Sequence, residues 1–252
     1  GWISREEGEK RIIITLKTLR DLKRINGFWY HFIDPDTGKR GWKDSHNIEL
    51  SNASAGTMLL GALAAAEYFG GEIEKLTYEL YEAMNWKWFT NPVTKHPYLA
   101  CYPEDLPKNV PHGINEEGMF GGWSAYSEHI FLYILAAGAP REEFSTGADS
   151  YYAMKTYKGS YKGETFIFCG SGAAFTYQWT HAFIDFRNLR DKLDRNWFDN
   201  SRHAGLAARQ YAIDNAHRIK GLGPNSWGMS ACISPSTGYS GLYGSHPIGV
   251  GP

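Results

Sequence analysis

The sequence predicts an all-α fold, an (α/α) toroid of inner and outer helices that is incomplete at its C-terminal end, and three observations lead to it. Stretches that are apolar or small almost all round, at 54–69, 123–139 and 172–186, alternate with amphipathic ones at 72–88, 145–157 and 199–218. Two concentric layers require that alternation, because an inner helix touches neighbours on every side while an outer one faces water. The helical segments number about seven, short of the roughly twelve that six closed hairpins need. No motif returns at a fixed period of 20–50 residues, which argues against a short-repeat solenoid.

The elements follow in order. Ser4 and Glu7 have the S-x-x-E form of a capping box. Behind it, Ile12, Leu16, Leu19 and Leu22 recur at helical spacing, which predicts an amphipathic helix ending near Gly27. GFWYHFIDPDTGKRGW reads as a short hairpin or extended loop with a tight turn at Asp34–Gly38. ASAGTMLLGALAAAEYF reads as a buried helix, and Ile73, Leu76, Leu80 and Met84 mark the apolar stripe of the next. WSAYSEHIFLYILAAGA is expected to form a second buried helix, with a weaker polar one near 145–157. GAAFTYQWTHAFIDF is expected to form a third, followed by an amphipathic helix at 199–218. The segments 89–121 and 219–252, rich in Pro and Gly, are long loops of the kind that carry function or lack fixed order.

A chain of 252 residues suits one domain, 1–252. The 26 basic and 27 acidic residues leave a net charge of -1 and are scattered, so no nucleic-acid or anionic-membrane partner is implied. No apolar run reaches the ~18 residues of a membrane span, and no signal-peptide pattern opens the chain. Cys101, Cys169 and Cys232 are far apart and form no CxxC pair, so neither a zinc site nor a redox motif is indicated; three buried thiols, or one disulfide and a thiol, fit them. Aromatic residues make up 15% of the chain, many beside Gly, His, Asn or acids. Such rings suit the apolar face of a pyranose, although any one of them is more often packing.

Candidate chemistry is concentrated in two stretches. Glu128 lies, on this reading, one turn into a buried helix, where desolvation would raise its pKa and suit it to general-acid work; the alternative is a carboxylate paired with a nearby Arg or Tyr. Trp123 and Tyr126 just before it are sugar platforms or packing. His181 and Asp185, four apart, would share a helix face with Tyr177 and Gln178 one turn earlier. Such a polar strip on a buried helix needs partners, either a substrate cavity or, more plainly, Arg187 for Asp185 and the core for His181. Neither H-E-x-x-H, G-x-S-x-G nor GxGxxG occurs, so no metal and no cofactor is implied. The sequon Asn52-Ala53-Ser54 enters a buried helix and is discounted.

With these segments in place, the chain resembles the glucoamylase-like family, whose characterised members include endo-β-1,2-glucanases. The resemblance runs from GWISREEGEKRI to about SGLYGSHP. It is carried by GFWYHFIDPDTGKR, LLGALAAAEYFGG, GGWSAYSEHIFLYILAAGAP, FTYQWTHAFIDFR, ARQYAIDNAHR and NSWGMSAC, in that order. It implies an (α/α)6 barrel and an inverting glycoside hydrolase that binds a β-glucan, β-1,2-linked above all, in a cleft of the inner helices. Inversion uses an acid and a base ~6.5–9.5 Å apart with a water between them.

By resemblance Glu128 is the acid, His181 and Asp185 match the family's H-x-x-x-D pair, and Glu49 matches an acidic position before the second helix. Asp185 and Glu49 are thus the candidate bases. Trp42 and Trp227 join Trp123, Tyr126, His181, Tyr177 and Gln178 as expected substrate-binding residues. Three positions depart from the family pattern: Ser54 replaces an acid, Pro224 replaces Glu, and Ile233-Ser234 stands where Asp-Gly is usual. Those departures support the alternative of a degenerate, glycan-binding member. The resemblance also implies a periplasmic or secreted protein with an oligo- or polysaccharide partner.

Overall fold

A computed structural model of the chain describes residues 2–41, 47–104, 106, 107, 109–170, 172–228, 230, 232–234 and 238–240. It divides the chain into two units, Gly1–Ser124 with Phe131–Ala153, and Ala125–Ile130 with Met154–Pro252. Among the described residues, six α-helices carry most of the regular structure, joined by three two-stranded antiparallel sheets. The fold is mostly helical, as expected, with these few small sheets in addition.

In the first unit, α1 (Arg5–Asp21) starts as the sequence predicts, with the Ser4 side chain accepting from Glu7 N at 3.2 Å. It stops six residues before Gly27. Its last carbonyls are taken by side chains: Trp29 Nε1 donates to Leu19 O and Arg24 Nη2 to Arg20 O. The chain then reverses at Asn26-Gly27, with φ of 50° and 87°, between bridge partners Ile25 and Phe28. Two successive positive φ values are the signature of a type I′ turn, which favours Asn-Gly. Any side chain at Gly27 would place its Cβ 2.2 Å from Ala83 O.

The tight turn at 34–39 forms as expected. Asp34 Oδ1 accepts from the backbone of Asp36 and Thr37, and Ile33 bridges Arg40 beyond it.

Helix α2 (Asn52–Phe69) is capped by Ser51, whose side chain accepts from Ser54 N. It is buried along Ala55, Gly56, Leu59, Ala62 and Ala66 but exposed at Gly61, Ala64 and Glu67, so it is apolar without being enclosed on all sides. Gly56 permits a close crossing: a Cβ there would lie 2.7 Å from the Phe131 ring. Asn52 is buried, donates to Tyr98 O and accepts from Trp123 Nε1, so it is no glycan acceptor.

Helix α3 (Gly71–Glu82) buries Ile73, Leu76 and Leu80, and Met84 just beyond it is buried too, as their spacing predicts. Tyr81 ties it to Leu135 O of α4 (Ile130–Ala137). The polar helix expected near 145–157 is α5 (Gly147–Ala153). Strands β1 (Ala100–Cys101) and β2 (Met119–Phe120) lie within the predicted 89–121 loop.

The second unit contains a hairpin the sequence reading missed, β3 (Tyr157–Tyr161) and β4 (Glu164–Phe168). Its turn, Lys162-Gly163, has φ of 48° and 92°, again the I′ pattern. The signal was present as two residues, Lys-Gly, between the β-rich runs TYKGSY and ETFIF. Helix α6 (Trp197–Asp214), capped by Asn196, packs on this hairpin, and buried Asn200 exchanges two hydrogen bonds with the Ile167 backbone. Strands β5 (Cys232–Ser234) and β6 (Gly238–Ser240) pair beyond it.

Two expected helices do not form as predicted. Residues 172–186 adopt two short 3-10 turns, Ala174–Tyr177 and Thr180–Ala182. Thr, Tyr, Phe and Trp are poor helix formers, and the hydroxyls here are committed elsewhere: Thr176 to Ala173 O and Tyr177 to Cys169 N. The 123–139 segment becomes helical only at Ile130, because Ala125 first bridges Lys155 and Tyr126 N donates to Lys155 O. Cys101 and Cys169 are buried thiols, and Cys232's side chain lies outside the described residues.

Candidate functional site

The candidate site of the second unit is built on the turn before α4 and on the 3-10 segment. Glu128 stands in that turn, two residues short of the helix the sequence places it in. Ser127 shapes the turn, its Oγ accepting from His129 N at 3.2 Å and its carbonyl from Ile130 N. The Glu128 side chain is 21% exposed. Burial raises its pKa above the ordinary carboxylate value and outweighs the backbone hydrogen bond that opposes it. His129 Nδ1 lies 3.5 Å from Glu128 Oε1. Burial pushes the imidazole pKa down to about 4, so at neutral pH this contact joins an uncharged ring to the carboxyl rather than forming an ion pair.

The Glu128 backbone is pinned from across the unit. Thr180, buried in the second 3-10 turn, donates its hydroxyl to Glu128 O at 2.9 Å. The next residue, His181, faces a cavity of about 570 Å³ whose lining includes Tyr177, Gln178, Asp185, Arg187, Phe198 and Ser201. Four residues singled out from the sequence, Tyr177, Gln178, His181 and Asp185, are therefore gathered here, although no common α-helix face gathers them.

His181 Nε2 lies 2.9 Å from Ser201 Oγ; burial lowers its pKa, with Asp185 opposing. Asp185 is committed at both oxygens. Oδ1 accepts from Arg187 N and Nε at 3.0 and 2.9 Å, and Oδ2 from Arg187 Nη2 at 2.6 Å. The guanidinium holds its pKa down near about 2. The pairing with Arg187, the plainer expectation for Asp185, is thus the observed geometry.

Tyr126 is not a platform. It is 3% exposed and stacks on Trp197 with centroids 4.7 Å apart and planes 2° from parallel. Tyr177 is likewise buried, its hydroxyl accepting from Cys169 N. The exposed rings of this region are ones the sequence reading passed over: Trp179 (42%), Phe183 (39%) and Phe198 (40%). QWTHAF carried that signal, hidden by the assumption of a buried helix. Trp227 is also exposed, beside a turn at Pro224 whose carbonyl accepts from Arg209 Nε.

The remaining candidates belong to the first unit. Glu49 is partly buried. Burial pushes its carboxyl up, but the hydrogen bond with His31 Nδ1 at 2.7 Å and its own backbone bring it below the ordinary value. Trp123 is half-buried, donating to Asn52 Oδ1. Ser54, the neutral replacement, lines a cavity of about 200 Å³ with His31, Trp29 and Tyr30. Trp42 lies outside the described residues. Among those described, no His, Cys, Asp and Glu residues are grouped as metal ligands, and no helix is long and apolar enough to cross a membrane.

Comparison with known proteins gives consistent results. The family model described as "Putative glucoamylase" matches residues 121–249. An exo β-1,2-glucooligosaccharide sophorohydrolase (non-reducing end) of Parabacteroides distasonis is 25% identical over 264 residues, covering 92% of this chain and 35% of the relative. The chain therefore spans about a third of that protein's length. Among solved structures, an endo-β-1,2-glucanase from Chitinophaga pinensis, in complex with sophorotriose and glucose, superposes with a TM-score of 0.79 at 24% identity, over 98% of this chain and 60% of that one. A β-1,2-glucanase from Parabacteroides distasonis gives 0.78 at 22% identity, over 96% and 37%. These structural likenesses establish a shared fold.

Proposed function

The chain belongs to the glucoamylase family whose model spans its second half, and from that premise we propose that it is a glycoside hydrolase acting on a β-1,2-linked glucan. The observation that carries the reading is Glu128: a half-buried carboxyl, its pKa raised by desolvation, in a turn held by Thr180. A carboxyl whose pKa is raised holds its proton more tightly than a free one and can deliver it to a glycosidic oxygen as the bond to the anomeric carbon breaks. Water would then attack the opposite face of the sugar, activated by a second carboxylate, with inversion. The helical toroid expected from the sequence is the frame of this reading, and the cavity at His181 its sugar-binding surface.

The test is incubation of the purified chain with linear β-1,2-glucan, products being followed by chromatography. Wild-type protein should release short oligosaccharides whose new ends appear first as the inverted anomer. Glu128→Gln should lower turnover by a factor of about 10²–10⁴, as loss of a general acid does. Turnover unchanged in that variant would remove Glu128 from the reaction.

A second reading, glycan binding without cleavage, is favoured by the state of the candidate bases. Both oxygens of Asp185 are occupied by Arg187, and Glu49 is bound to His31. Ser54, Pro224 and Ile233 add no acid. Under this reading the same glucan binds, wild-type protein releases nothing, and Asp185→Asn and Glu49→Gln change neither result.

A further inference from the structure

Apart from that site, the first unit carries a small cavity whose charged lining is of one sign. It measures about 250 Å³ and lies where the 87–95 loop meets the start of α5. Two lysines, Lys87 and Lys95, line it with Asn91, Thr90, Thr146 and Ser150, and among the described residues no carboxylate does. The acids of the flanking segments, Glu142, Glu143 and Asp149, are outside the lining, and Glu143 is held by Arg141.

The groups with protons still to give decide what fits there. Thr90 donates its hydroxyl to Trp86 O, and Ser150 donates its own to Lys95 O at 2.6 Å. Asn91 Oδ1 accepts from Val93 N and Thr94 N, both at 2.9 Å, which fixes the orientation of the amide and leaves its NH2 as a donor. Among the described residues, neither lysine is engaged in an ion pair. Two lysines and the Asn91 amide, all in the lining of one small cavity, form an acceptor-seeking set.

The backbone adds a second mark. Lys95 holds φ of 63°, a left-handed conformation that glycine adopts freely and a lysine does not. The Lys95 N–H donates to Asn91 O, and Ser150 holds its carbonyl, so the conformation is locked. Glycine would close this turn more readily, whereas lysine brings a cationic side chain.

From these residues we infer an oxyanion-binding site, formed by Lys87, Lys95 and the Asn91 amide, that takes a phosphate, free or carried on a sugar as a monoester. The lysines supply charge, and the amide supplies a directed hydrogen bond.

Calorimetric titration with inorganic phosphate tests it, alongside melting curves in phosphate and in sodium chloride of equal ionic strength. Wild-type protein should bind phosphate saturably, and phosphate should raise its Tm more than chloride does, because a ligand of the folded state stabilises it. Lys87→Ala should weaken binding at least tenfold. Lys95→Gly should do the same while keeping or raising the Tm without phosphate, so that lost binding cannot be ascribed to unfolding. Titration with glucose 1-phosphate then separates the sources: tighter binding than phosphate assigns the anion to a sugar ester, and equal binding to the free ion. Absence of saturable binding, equal binding by both variants, or an equal effect of chloride would overturn the inference.

Discussion

Thr180 and Glu128 are 52 residues apart, and the Thr180 hydroxyl donates to the Glu128 carbonyl at 2.9 Å. The bond joins the turn that carries the proposed acid to the 3-10 segment that carries His181. Thr180→Val keeps the shape of the side chain and removes the donor, leaving a buried acceptor unsatisfied at a cost of about 1–3 kcal/mol. The variant should melt lower and turn over β-1,2-glucan about tenfold more slowly, whereas Thr180→Ser should restore both. Loss of stability with unchanged turnover would reduce the bond to a purely structural role.

The raised pKa of Glu128 has a consequence for stability. The folded chain holds this proton more tightly than the unfolded one, so the stabilisation is complete below the unfolded value of 4.5 and is lost as pH rises through the folded value. Glu128→Gln cannot titrate. The Tm of the variant should therefore gain on that of the wild type as pH rises above 4.5, then hold a constant lead. Melting curves across this range check it, and a lead independent of pH would contradict the raised pKa.

His129 works in the opposite direction. Its folded pKa, about 4, lies below the unfolded 6.5, so the unfolded chain binds the extra proton first. Stability present above pH 6.5 should fall away as pH drops toward 4, by on the order of 3 kcal/mol for a shift of this size. His129→Gln should flatten that acid limb. Urea denaturation at several pH values measures the slope, and an equally steep limb in the variant would assign the loss to other groups.

The sequence fits Tyr126 either as a sugar platform or as packing, and its stacking on Trp197 makes it packing. Tyr126→Ala should cost about 3–5 kcal/mol, the range for removing a buried aromatic ring. Tyr126→Phe should cost far less, losing only the hydroxyl. Equilibrium unfolding separates the two. A Tyr126→Ala protein of normal stability and weakened glucan binding would restore the platform.

What was legible in the sequence was whatever depends on near neighbours. The Ser4 cap, the Asp34 turn and the buried stripe of Ile73, Leu76, Leu80 and Met84 follow from spacings within one element. The clamp of Arg187 on Asp185 spans two residues and was foreseen as an alternative. The order of the six motifs is also a property of the chain alone, and it led to the family.

Tertiary structure decided the segments whose backbones have distant partners. The stretches at 123–129 and 172–186 are apolar and aromatic, a composition that fits a buried helix, a strand or a 3-10 turn equally well. Lys155 takes up the backbone of Tyr126, Thr180 that of Glu128, and Tyr177 that of Cys169, partners no local pattern displays. Those bonds delay α4 to Ile130 and break the expected helix into turns. The sequence by itself therefore determined which residues are candidates for the chemistry. Only long-range hydrogen bonding and burial decided that Glu128 is a shielded carboxyl, that Tyr126 is core, and that Asp185 stands in water with its charge already matched.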